Sequence, residues 1–201
     1  MFVQQPHNIW RAIRRTASRL RYDASGLSAV EFAVILPMVL TLLFGMIEVS
    51  NGVAADRKVT LTARALSDLI SQAVSVTDTD IKNSHDASKG VMSPFDSSAV
   101  ESVISEVKIN ASGQATIAWS KANEKAKAKE KTPGTVVTIP SALAVPNTYL
   151  IWSEVSYTYK PLLPMPFMDW LIKKEGIVLS EQFFTRPRQS NCVLYNQSSC
   201  P

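Results

Sequence analysis

Histidine and cysteine are almost absent: the 201 residues hold two of each. The histidines, His7 and His85, stand far apart, and both cysteines, Cys192 and Cys200, fall within the last ten residues. No spacing among them suits a zinc site, which needs clustered nitrogen and sulfur ligands. A phosphate-binding glycine loop and a dinucleotide fingerprint are missing as well. Ser84-His85-Asp86 spells the residue types of a hydrolase triad, yet consecutive side chains diverge and triads are assembled from separated positions. Asp78-x-Asp80 opens like a calcium loop, but Lys82 and Asn83 stand where the next acid and the turn glycine belong. These absences point away from an enzyme, and no metal, cofactor or small-molecule substrate is expected.

Charge excess is also lacking over most of the chain, although the formal net charge is +4. Residues 1–26 hold Arg11, Arg14, Arg15, Arg19 and Arg21 against Asp23 alone, which leaves sixteen basic and sixteen acidic side chains in the other 175 residues. The excess thus sits in a leader, where it controls membrane topology, and not on a basic binding face. The densest lysine run elsewhere, "KANEKAKAKEK", sets Lys121, Lys125, Lys127, Lys129 and Lys131 against Glu124 and Glu130 and contains no aromatic residue. Grooves for single-stranded nucleic acid interleave cations with stacking aromatics, so this run reads as a solvated loop or short surface helix. No nucleic-acid partner is expected.

What the chain does have is a long apolar run. From Phe32 to Ile47, "FAVILPMVLTLLFGMI", sixteen residues carry no formal charge. Extending the run to Leu27–Val49 gives 23 residues, enough for a hydrocarbon core that takes about 20 helical residues, and brings in Glu31. Glu48 falls inside the same limits. A cleavable signal peptide and a buried core helix remain alternatives for a run of this length. The arginine-rich flank favours a single-pass anchor with its N-terminus in the cytoplasm and the bulk of the chain outside. In an oxidising compartment Cys192 and Cys200 can close a small loop; otherwise they are two free thiols.

A carboxylate inside such a run costs about 2.5–3.5 kcal/mol on insertion scales, so Glu31 calls for a reason. Headgroup-depth snorkelling is the bland one. Its surroundings offer another: Gly26, Leu-Ser-Ala-Val, then Glu31-Phe32 forms G-x-x-x-x-E-F between a basic leader and the span. This layout resembles the class III signal of type IV pilins and pseudopilins. The longer stretch "GLSAVEFAVILPMVLTLLFGMIE" resembles the start of TadE/TadG-family proteins of the tight-adherence (Flp) pilus system, with Ala29, Val30, Glu31, Phe32, Ala33, Pro37, Phe44, Gly45 and Glu48 on the family's positions. The length after the span is closer to the TadE-like branch than to the larger TadG branch. The resemblance implies cleavage between Gly26 and Leu27 by a prepilin peptidase, and a role for Glu31 and Phe32 in processing and assembly. It implies a non-enzymatic pseudopilin-like subunit of the bacterial inner membrane, whose partners are the membrane, the peptidase and other pilus-assembly subunits. An uncleaved, signal-anchored periplasmic protein that binds a partner is the alternative.

Beyond the span, "NGVAADRKVTLTARALSDLISQAV" places Val59, Leu66, Ile70 and Ala73 at helical spacing, which extends the helix to about Val74. "SVTDTDIKNSHDASKGVMSP" reads as a turn-rich loop, and Asp96–Lys108 as a short helix capped by Asp96. Four later runs read as strands: "SGQATIAWS", "TVVTIP", "TYLIWSEVSYTYKP" and "GIVLSEQFFTRPR". "KPLLPMPFMDWLIKK", apolar and rich in proline, is a candidate interface. The expected architecture is α+β: residues 1–26 a cytoplasmic leader, 27–49 a transmembrane helix, 50–74 its periplasmic continuation, and 75–201 a periplasmic domain with a small antiparallel sheet against the helix.

Overall fold

The computed structural model describes residues 26–161, 176–196 and 199–200. The chain divides into two compact units, residues 1–47 and residues 48–201. Helix α1 (Leu27–Ser71) begins in the first and ends in the second, three residues short of Val74. In the first unit every described side chain is exposed except the half-covered Gly45. A core helix buries one face, so the buried-helix alternative is set aside. Among the described residues α1 is long and apolar enough to cross a membrane, and none of its most apolar window is buried.

In the second unit the same helix becomes amphipathic. Ala55, Val59, Ala63, Leu66 and Ile70 are buried, recurring every three or four residues along one stripe. That stripe packs on a five-stranded sheet of order β4-β3-β2-β5-β6. The strands are β2 (Val100–Ile109), β3 (Ala115–Ala122), β4 (Val136–Val137), β5 (Thr148–Tyr159) and β6 (Ile177–Thr185), and every pairing is antiparallel. The α+β expectation holds. A separate parallel pair joins β1 (Ser75–Val76) to β7 (Leu194–Tyr195).

The centre of the sheet departs from the sequence reading. Residues Val100–Lys108, expected within a helix, belong instead to β2, which pairs along its length with β5 and from Val103 onward with β3. Asp96 does cap a turn, accepting from the Ser98 amide at 2.9 Å, but that turn is a single 3₁₀ turn, Ser97–Ala99. Burial explains the misreading. A central strand covered on both faces loses its alternation, and the valines and isoleucines of β2 happen to repeat at helical spacing. On the helix side lie Val100, Ile104, Trp119, Ile151, Val155, Tyr157 and Tyr159. On the other lie Val107, Ile109, Ala115, Ile117, Leu150 and Trp152, covered by Val137, Ile139 and Leu143. A bulge makes this possible: Glu106 pairs with Trp119 while Val107 pairs with Ile117, so Ala118 is the extra residue.

The second correction is α2 (Asp78–Lys89), expected as a loop. Its start is a reciprocal capping box: the Asp80 amide donates to the Thr77 hydroxyl, and the Thr77 amide donates to the Asp80 carboxylate at 2.9 Å. The buried face consists of Ile81, His85 and Ser88, too polar to register as an apolar stripe. The lysine run holds the 3₁₀ helix Glu124–Lys129, with Lys129 paired to Glu101 and Lys131 to Glu154. Gly176 opens β6 at φ +88°, and a Cβ there would stand 2.6 Å from the Tyr159 carbonyl oxygen, so glycine is required. Cys192 and Cys200 are joined by a disulfide, their Cα atoms 5.9 Å apart. The arginine-rich leader and most of the proline-rich stretch, residues 162–175, lie outside the described residues.

Candidate processing and assembly segment

Gly26 directly precedes the first residue of α1. No heavy atom would lie within 4 Å of a Cβ added there, so packing within the chain does not demand a glycine. Leu27 is 60% exposed and Phe32 63%, and Glu31 between them is exposed too. None of the ion pairs among the described residues involves Glu31. Helical geometry puts residues 27 and 31 on one face, about 6 Å apart along the axis. An amine freed at Leu27 would stand at the positive end of the helix, one turn from this carboxylate. Among the described residues, no ion pair involves Glu31, and Leu27, Glu31 and Phe32 are exposed.

Further along, Pro37 leaves one helical carbonyl without its amide donor, and the Thr41 hydroxyl donates to the Pro37 carbonyl at 2.8 Å. Glu48 behaves differently from Glu31. It is buried, 4% exposed, and its Oε2 accepts from the Tyr159 hydroxyl at 2.8 Å. Burial, with the Glu48 hydrogen bond second, pushes the Tyr159 phenol up to about 12. In the sequence Glu48 is only a second acid at the end of the apolar run, and nothing nearby marks Tyr159 as its partner. The available signal was the alternation in β5, which turns Tyr157 and Tyr159 to the helix side.

Ser84, His85 and Asp86 all lie on α2 and are engaged separately. The Ser84 hydroxyl donates to the Asp80 carbonyl at 2.8 Å, and Asp86 pairs with Lys89 at 3.1 Å. His85 is buried, with Nδ1 2.7 Å from the Ser102 hydroxyl. Burial, helped by the Lys89 charge, holds its pKa down at about 4. The Asp78-x-Asp80 pair is no calcium loop: Asp80 serves the cap, and Asp78 accepts from the Tyr195 hydroxyl at 2.6 Å.

One buried acid had no sequence signal at all. Glu106, fully enclosed at the bulge, accepts from the Val193 amide through Oε1 at 2.6 Å. The Trp119 indole donates to the Val193 carbonyl at 2.9 Å, so both groups clasp the segment beside the disulfide. Glu106 Oε2 has no partner among the described residues, and burial pushes this carboxyl up to about 7.

The family model for TadE-like protein matches residues 26–67. That interval begins at Gly26, contains Glu31, Phe32, Pro37, Gly45 and Glu48, and ends within the buried stripe of α1. Over these residues the chain is similar to TadE-like proteins, a family that implies a role related to the tight-adherence pilus and an association with the membrane and pilus-assembly components. No curated protein and no solved structure matches the chain.

Proposed function

We propose that the chain is a pseudopilin-like, non-enzymatic subunit in the assembly of a tight-adherence pilus, cut after Gly26 by a prepilin peptidase. The carrying observation is that the TadE-like segment keeps an acid, Glu31, exposed in an apolar helix with no ion pair among the described residues. Such a group costs several kcal/mol in lipid unless something outside the fold neutralises it. A freed Leu27 amine, on this chain or on an adjacent subunit, is the matching charge. In this reading residues 1–26 are a cytoplasmic leader, residues 27–49 span the bacterial inner membrane, and residues 50–201 are periplasmic. The five leader arginines support that orientation, and the Cys192–Cys200 bond suits an oxidising compartment.

Glu31→Gln tests the role of the charge. Glutamine keeps the size and hydrogen-bonding capacity but cannot pair with an amine as a charge. The variant is expected to accumulate in the membrane at the normal level while surface pili are lost and pilus-assembly subunits no longer co-purify with it. Normal piliation in a strain carrying only Glu31→Gln contradicts the proposal.

A further inference from the structure

Within residues 48–201, an apolar surface gathers beside the point where the chain leaves the span. A cavity of about 350 Å³ is lined by Val49, Gly52 and Val53 from α1, Tyr159 and Pro161 at the end of β5, and Ile177 at the start of β6. Val49, Val53 and Ile177 are 67%, 49% and 44% exposed. The Glu48–Tyr159 hydrogen bond lies at the same cavity, so its polar groups face each other while the remaining lining is mostly hydrocarbon. Arg57 and Lys58 lie further along α1 and Lys160 is exposed beside Pro161, while the acid Asp56 lines the cavity itself.

We infer that this surface is a foot on which the exported domain rests against an anionic bilayer. The inference takes the membrane span as given and adds a lipid contact to the domain outside it. Chain connectivity supplies the occupant. If the hydrocarbon ends at Val49, Val53 stands about 6 Å further on, inside a headgroup layer about 5–8 Å deep. Arg57 and Lys58 follow at about 12–14 Å, within reach of lipid phosphates through their long stems. Because Ile177 lines the same cavity as Val49 and Val53, the start of β6 is held at that level. An apolar centre with flanking cations is the pattern of interfacial membrane contacts, and each cation adds attraction to an anionic surface. Left in water, such a patch is unfavourable in proportion to the apolar area it exposes.

The test places a bimane label on single introduced thiols in the full chain, reconstituted in phosphatidylcholine vesicles with and without phosphatidylglycerol. Cys192 and Cys200 are bonded to each other, so the label goes to the new site. Val53→Cys and Ile177→Cys report on the foot. Leu42→Cys, 66% exposed in the apolar run, reports on the span, and Val136→Cys, 58% exposed on β4, is the control away from the foot. Shallow doxyl-labelled lipid is expected to quench positions 53 and 177 several-fold more than 136, with the difference growing when phosphatidylglycerol is present. Quenching at 53 and 177 by aqueous iodide instead, at the level of 136, overturns the inference. Shielding from both quenchers also overturns it, since protein then covers the surface. Failure of lipid to quench position 42 would refute the span itself, a result distinguishable from failure at the foot.

Discussion

Between pH 4.5 and 6.5 the stability of the folded chain is expected to be nearly flat, and Glu106→Gln is expected to make it climb. Two buried groups oppose each other in that window. Glu106 titrates at about 7 in the fold against an ordinary 4.5, so the native chain holds a proton that the unfolded chain releases as pH rises. Its contribution therefore falls with pH from 4.5 to 7 by about 1.4 kcal/mol per unit, roughly 3 kcal/mol in all. His85 titrates at about 4 against 6.5, so the native chain lacks a proton that the unfolded chain carries. Its contribution rises over nearly the same interval by a similar amount. Asp80, Asp96 and Glu101, held below their ordinary values by hydrogen bonds from Thr77, Ser98 and Lys129, act at lower pH, where protonation removes their support. Glutamine at 106 keeps an acceptor for the Val193 amide but has no charge to desolvate. Urea midpoints of the full chain in detergent, read at half-unit steps of pH, should rise from pH 4.5 to 6.5 in Glu106→Gln. They should fall over the same steps in His85→Gln. Two variants that both retain the flat profile would show that neither group is held as described.

The second large effect is expected at Leu66. It is fully buried where α1 meets the sheet, in the cluster with Ile104, Ile151 and Val155. Leu66→Ala removes an isopropyl group from a close-packed interior that relaxes only in part, at a cost of about 2–5 kcal/mol. Leu61, one and a half turns earlier on the same helix, is 46% exposed. Leu61→Ala should stay within about 0.5 kcal/mol of the parent. The pair is compared by urea midpoint at unchanged m-value. Equal midpoints for the two variants would mean that α1 does not pack through this stripe.

How much of this could be read from the amino acids differs from one element to the next. The long apolar helix and its amphipathic second half were legible because apolar residues first fill the helix and then retreat to one stripe from Ala55 to Ile70. Strands β3, β5 and β6 were legible from alternation and turn residues. Strand β2 was not, because burial on both faces erased its period, and the order of the sheet turns on that strand. Helix α2 was hidden for the opposite reason: its inward residues His85 and Ser88 are polar, and the Thr77–Asp80 box is short. Gly26, Glu31 and Phe32 stand out in the sequence by their pattern alone; the fold adds only that Glu31 and Phe32 are exposed and that space around Gly26 is open. Glu48 and Glu106 were not, since a lone acid gains meaning only once Tyr159 or Val193 comes to it across the fold.

The most direct test is the N-terminal sequence of the chain purified from membranes of cells with an intact prepilin peptidase. Cleavage after Gly26 gives Leu-Ser-Ala-Val-Glu as the first residues, and the uncut form only when the peptidase is deleted. A chain that still begins Met-Phe-Val with the peptidase present contradicts the pseudopilin reading and leaves an anchored domain whose Glu31 needs another explanation.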